Sequence, residues 1–196
     1  MFSDVEGRIK RGNKILFTRH SESLQNLMTA IRLQNHRVLI LWALDCADQT
    51  LPQLQLVTPD ENRPRQCLDT CRAWAEGRIK MKSAKEGIIN CHKAAKQLEE
   101  IPAALCHGIG QTGATVHVET HAIGLPMYEL TALVLAHGNI CYEKIVSDKI
   151  KYYEERLAYW SARPEQKKCT WAPFLLKDKP NKEQLRWEKE RNDGVI

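Results

Sequence analysis

Ten consecutive positions, Val38 to Ala47 (VLILWALDCA), carry one polar side chain, Asp45. Such a run falls well short of the ~20 apolar residues that span a bilayer. Its β-branched start suits a strand, but Leu41-Trp42-Ala43-Leu44 favours a buried helix. A carboxylate inside that helix needs a partner, because an isolated buried charge is costly. Arg63 and Arg65, on either side of Pro64, are the expected mates, with a histidine as the alternative. A structural ion pair between two helices is favoured over a general base, since no nucleophile stands beside Asp45 in sequence.

The remaining apolar spacing is also helical. Leu24, Leu27, Met28 and Ile31 share one face, and Leu51-Pro52 reads as the start of a separate short segment. Pro64 suits the first turn of a helix reaching about Glu76, which Gly77 ends. Cys67, Leu68, Cys71 and Trp74 form its apolar stripe. Ser83-Ala84-Lys85-Glu86 reads as a capping box that opens a helix to Leu98, with Ile88, Ile89, Cys91, Ala94, Ala95 and Leu98 toward the core. Pro102 opens a small-residue helix through Val118. Leu125 to Ala136 is the most apolar helix, and His137-Gly138-Asn139 is its stop. Asp148 to Trp160 is amphipathic. After Pro164 the pattern weakens to a short apolar patch, Trp171–Leu176, and a charged helix from Lys182 to Arg191. No alternating strand pair and no fixed-period repeat occurs. The expected fold is all-α, an array of antiparallel helices with a less regular C-terminal extension. Its expected parts are a basic N-terminal segment with one helix (1–35), a core domain (36–147), and a C-terminal helix and extension packing on that core (148–196). Trp42 and Trp74 are expected core anchors. Trp160, Trp171 and Phe174 are expected to fold back over the helices.

The net charge of +5 is uneven. Residues 1–40 hold seven Lys/Arg against three Asp/Glu, 41–141 nine against eleven, and 142–196 thirteen against ten. The densest basic cluster, Arg78–Lys85, has no interleaved aromatic, so a solvated helix face explains it better than nucleic-acid binding. No membrane or nucleic-acid partner is expected. The polar stretch Met1–Lys14 has no apolar core of a secretory signal, which points to the cytoplasm. Seven dispersed cysteines without a CxxC, including Cys169, then read as reduced and mostly buried thiols.

Two patterns invite a chemical reading. Gly108-Ile109-Gly110-Gln111-Thr112-Gly113 spells G-x-G-x-x-G, but a helical stretch precedes it where a dinucleotide site needs a strand. Close helix contact is the better account. His117-Val118-Glu119-Thr120-His121 sets two histidines four apart, one face of a helix, while Glu119 points away. The zinc-deaminase reading of His117-x-Glu119 fails because no P-C-x-x-C follows. His107 is the third candidate ligand, although on a continuous helix it lies about 15 Å along the axis. His92, Asp45 and Cys91 are further candidates from other helices. Structural histidines are favoured over a metal site, and no cofactor is expected.

Leu41–Ala47 (LWALDCA), Asp60–Arg65 (DENRPR) and Ala73–Gly77 (AWAEG) resemble immunity proteins of bacterial polymorphic toxin systems, specifically the immunity five-like domain. Gly113–Val118 (GATVHV), Thr120–Gly124 (THAIG) and Tyr128 fit the same pattern, so the resemblance runs from about Leu39 to Ala136. It implies an all-α cytoplasmic protein that binds and neutralises a cognate toxin by occlusion. The family's recurring polar positions correspond here to Asp45, Arg63, His117 and His121, as an internal cluster with no assigned catalytic role. Cys67, Cys71, Cys91 and Cys106 are a departure from the resemblance, whose helices are Ala-rich in many relatives. The oligomeric state stays open, with a homodimer as one arrangement. A small metal-dependent enzyme using Asp45, His117 and His121 ranks second, and a nucleic-acid binder third.

Overall fold

The computed structural model describes residues 2–138, 140–163 and 170–194, so Cys169, Pro164 and Asn139 lie outside the described residues. Within them every regular element is a helix and there is no strand. In order come α1 (Ser3–Lys10), α2 (Gln25–Arg32), α3 (His36–Val57), α4 (Arg63–Ala75), α5 (Met81–Ala95), α6 (Glu100–Thr115), α7 (Gly124–Ala136), α8 (Glu143–Ala162) and α9 (Lys182–Asn192). Short 3₁₀ turns connect some of them.

Helix α6 is central, packing against α3, α4, α5 and α7. Its glycines permit this. A Cβ on Gly108 would meet Leu125 of α7 at 3.0 Å, one on Gly110 the His92 ring of α5 at 2.6 Å, and one on Gly113 the Cys71 sulfur of α4 at 2.8 Å. The three glycines thus serve three neighbours, and the dinucleotide reading ends with the helix that surrounds them.

Several boundaries differ from expectation. The segment before residue 36 holds two helices, because α1 forms around buried Val5, and Arg8 Nε donates to the Ile15 carbonyl at 2.8 Å. Helix α3 is capped by Asn35, whose side chain accepts from the Val38 amide at 3.0 Å, and continues through Pro52. Pro52 lies on the exposed face, so the carbonyl it leaves unpaired is solvated, while buried Thr50, Leu51 and Leu54 hold the last turns down. Helix α4 has Pro64 in its first turn and ends before Gly77, whose φ is +76°. The capping box does not form. Helix α5 begins at Met81, ahead of Ser83, because Ile79 packs on the core and anchors the chain upstream. Helix α6 stops at Thr115. His36 Nε2 lies 2.6 Å from the Thr115 carbonyl and satisfies it, and Val118 is extended (φ −156°, ψ 140°).

Helix α8 packs on α2, α3 and α7. Trp42 donates its indole N–H to the Tyr153 carbonyl at 3.1 Å and meets the Tyr153 ring edge-on. The C-terminal extension folds back. The Ala172 amide donates to the Ala75 carbonyl at 2.8 Å, Leu175 is buried, and Arg37 Nη1 donates to the Leu175 carbonyl at 2.8 Å.

Candidate functional site

The four polar positions expected as one cluster stand in three places. Asp45 faces α8, where its Oδ2 accepts from Arg156 Nε at 2.7 Å and Trp160 Nε1 at 3.0 Å. Its mate is therefore Arg156, not Arg63 or Arg65. Arg63 turns onto Glu61, two residues back, and donates to Gln97 at 2.6 Å. Its hydrogen bonds hold the Glu61 carboxyl below the usual range. Arg65 reaches Gln55 at 2.6 Å.

His117 and His121 do come together, but not along one helix. The break at Thr115 puts His117 beyond α6 and His121 at the end of the turn Glu119–His121. His117 stacks on Trp74 (centroids 6.3 Å apart), and His121 Nδ1 lies 2.7 Å from Gln111 Oε1. Burial first, then the nearby His117, Arg19 and His92, keep the His121 pKa below its ordinary value. The buried Glu119 carboxylate sits 3.5 Å from His36 Nδ1.

His107 does not join them. Its Nδ1 lies 2.9 Å from His92 Nδ1, which requires one ring to donate and the other to accept. The His107 ring also packs on Tyr128. Burial lowers the pKa of both His92 and His107, which favours the neutral pair this contact needs. The expected ligand set His107, His117 and His121 is thus divided. Among the described residues no three His, Cys, Asp or Glu side chains converge in a way that holds a metal ion.

What the two histidines border is a groove of about 330 Å³. Trp74 of α4 forms one wall, Gln111 and Ala114 of α6 the floor, and Met81, Lys85, Ile88, Ile89 and His92 of α5 the other wall. These α5 positions follow helical spacing and so form one stripe. The adjoining stripe, Ala84, Cys91, Ala94 and Ala95, is buried. Ile89, expected in the core, is 42% exposed on the groove side, and Met81 is 49% exposed. Across His117 lies a smaller cavity of about 90 Å³, lined by His36, Arg37, Glu119, Phe174 and Lys177 among others. Phe174 stacks on Trp74, with centroids 5.4 Å apart, and joins the two hollows.

The buried cysteines form no disulfide. Cys91 and Cys106 each donate to the other's backbone carbonyl, at 3.2 and 3.1 Å, and so tie α5 to α6. A second buried polar centre, absent from the sequence reading, is Glu129 of α7. It receives Lys149 Nζ at 2.9 Å, Thr50 Oγ1 at 3.1 Å and the Tyr153 hydroxyl. The signal was present: one charge alone in the apolar stretch Leu125–Ala136, as with Asp45.

No curated protein and no solved structure matches the chain. Residues 29–156, about two thirds of its length, match the family described as Imm-5 like putative immunity protein. The matched span runs from α2 into α8 and takes in the groove walls on α4, α5 and α6, and the chain belongs to the Imm-5 like immunity protein family.

Proposed function

We propose that the protein neutralises a cognate toxin of a polymorphic toxin system, in the cytoplasm, by binding it and covering its working surface. Family membership over residues 29–156 carries this reading. The engagement of one half-buried and one buried carboxylate supports it. Asp45 joins α3 to α8, and Glu129 joins α7 to α8 and α3, so both are spent on holding helices together. Occlusion needs a stable outer shape, and these links supply one.

The test is protection. The chain is co-expressed with the toxin domain encoded beside its gene, and growth is followed. Restored growth and a stoichiometric complex on size exclusion are expected. Toxicity undiminished by abundant, folded chain overturns the reading.

A further inference from the structure

We propose that the groove between α4, α5 and α6 receives a segment of the toxin in which one large apolar side chain is bracketed by carboxylates. The inference rests on the binding role above and names the surface and the chemistry of the partner.

The apolar half of the argument is the outward stripe of α5. Met81 and Ile89 are large and about half exposed, yet they stand at helix positions that any polar residue would fill without disturbing the core. They face Trp74, a rigid wall fixed by the stacked rings of His117 and Phe174. Trp74 is 6% exposed, so it shapes the groove while the exposed Met81, Ile89 and Phe174 supply the apolar surface a partner would touch. Phe174 is itself 41% exposed and extends the apolar strip past His117.

The charge half comes from what surrounds the strip. The main groove has Lys85 on its wall and no carboxylate in its lining. The adjoining hollow adds Arg37, Lys177, Lys179 and Lys182. Arg37 and Asp178 pair at 2.9 Å and offset one another, which leaves the three lysines of this hollow against the buried Glu119. A basic surface would be repelled here, and an acidic one attracted. By contrast, the larger cleft of about 590 Å³ beside His107 mixes Lys14 and Lys96 with Glu99 and Glu100, and so selects no sign of charge. A nucleic acid is disfavoured because the main groove presents a single lysine, Lys85, where a phosphate backbone needs several cations.

The histidine-ring and isoleucine-methyl NMR signals of the full chain report on the groove directly. The probe is the peptide acetyl-Asp-Glu-Trp-Leu-Glu-Asp-amide, compared with a version carrying Lys at the four acidic positions and with oligothymidylate. The acidic peptide is expected to move His117, His121 and Ile89 together and saturably, with Kd near 1 mM or tighter. Ile89→Ser and Lys85→Glu should each weaken it by about tenfold. Both substitutions are at exposed positions, so folding is not at issue. Unmoved signals, equal binding of the lysine peptide, or stronger response to oligothymidylate would overturn the proposal. In the co-expression assay, Ile89→Asp should abolish protection, while Leu56→Glu, at an 84% exposed site outside the groove, should retain it. Protection by the unaltered chain and by Ile89→Asp alike removes the groove and spares the immunity role. No protection by the unaltered chain removes the immunity role, whereas the peptide titration still judges the groove.

Discussion

Replacing Glu129 by leucine tests how the scaffold is held. Glu129 is 3% exposed, and three donors converge on its carboxylate. The loss falls unequally on them. Thr50 Oγ1 keeps an acceptor, the Cys46 carbonyl at 3.2 Å, so its cost is near zero. The Tyr153 hydroxyl, fully buried, loses its acceptor, which costs about 1–3 kcal/mol. Lys149 becomes a largely buried charge without its anion, ordinarily a loss of about 3–5 kcal/mol. That loss is trimmed because its ammonium lies 4.7 Å from the Tyr152 ring centroid and 5.3 Å from that of Tyr153. Together these give about 3–6 kcal/mol, against a total domain stability of about 5–15 kcal/mol. Glu129→Leu combined with Lys149→Met removes the stranded charge and should leave a loss of only about 1–3 kcal/mol, chiefly the orphaned hydroxyl. Urea unfolding followed by far-UV circular dichroism measures both, and the double-mutant cycle isolates the coupling. A single variant within about 1 kcal/mol of the unaltered chain refutes the reasoning, as does a double variant less stable than the single.

Asp45→Ala should cost less, about 1–3 kcal/mol, because the Asp45 and Arg156 side chains remain 22% and 31% exposed; unchanged thermal unfolding would show that the link to α8 carries no weight. His92, His107 and His121 all have pKa values lowered from about 6.5, so the unfolded chain takes up protons before the folded one does. Stability is then fully present above about pH 6.5 and lost as pH falls below it, well before carboxylates such as Glu61 titrate; a flat urea midpoint from about pH 7 to pH 5 would refute this. Gly110→Ala drives a methyl group into the His92 ring and should cost about 1–3 kcal/mol while shifting the His92 and His107 signals together; a neutral substitution would mean the ring has room to move. Of the six described thiols Cys141 alone is exposed, so peptide mapping after thiol labelling of the folded chain should find it modified and Cys46, Cys67, Cys71, Cys91 and Cys106 protected until urea is added.

Local rules carry α3, α4 and the central position of α6 a long way. The apolar run, Pro64 with Gly77, and the glycines of residues 108–113 each state a constraint that needs no knowledge of the rest of the chain. The rules fail where a distant group decides. Asp45 announces a buried carboxylate, but its partner Arg156 lies 111 residues away and nothing local distinguishes it from Arg63. The helix through His117 and His121 looks continuous in sequence, and it ends because His36, 79 residues earlier, satisfies the Thr115 carbonyl. Glu129 obeys the same rule that exposes Asp45, and its signal was readable without the structure.

Ile89 is the most informative misplacement. Helical periodicity sets Ile88, Ile89, Cys91, Ala94 and Ala95 on the inner side of α5, and apolar character alone cannot divide them. Volume does. With Gly110 and Gly113 on α6 and Cys67 and Cys71 on α4, α5 approaches closely enough that only Ala84, Gly87, Cys91, Ala94 and Ala95 fit between the helices. A Cβ added at Gly87 would already lie 2.6 Å from Thr70 Oγ1. The larger Met81 and Ile89 are therefore driven to the outer stripe. Lysine or glutamine would occupy both places at no packing cost and would reduce exposed apolar surface. The half-exposed apolar side chains of Met81 and Ile89 are what the groove proposed above would offer to a partner.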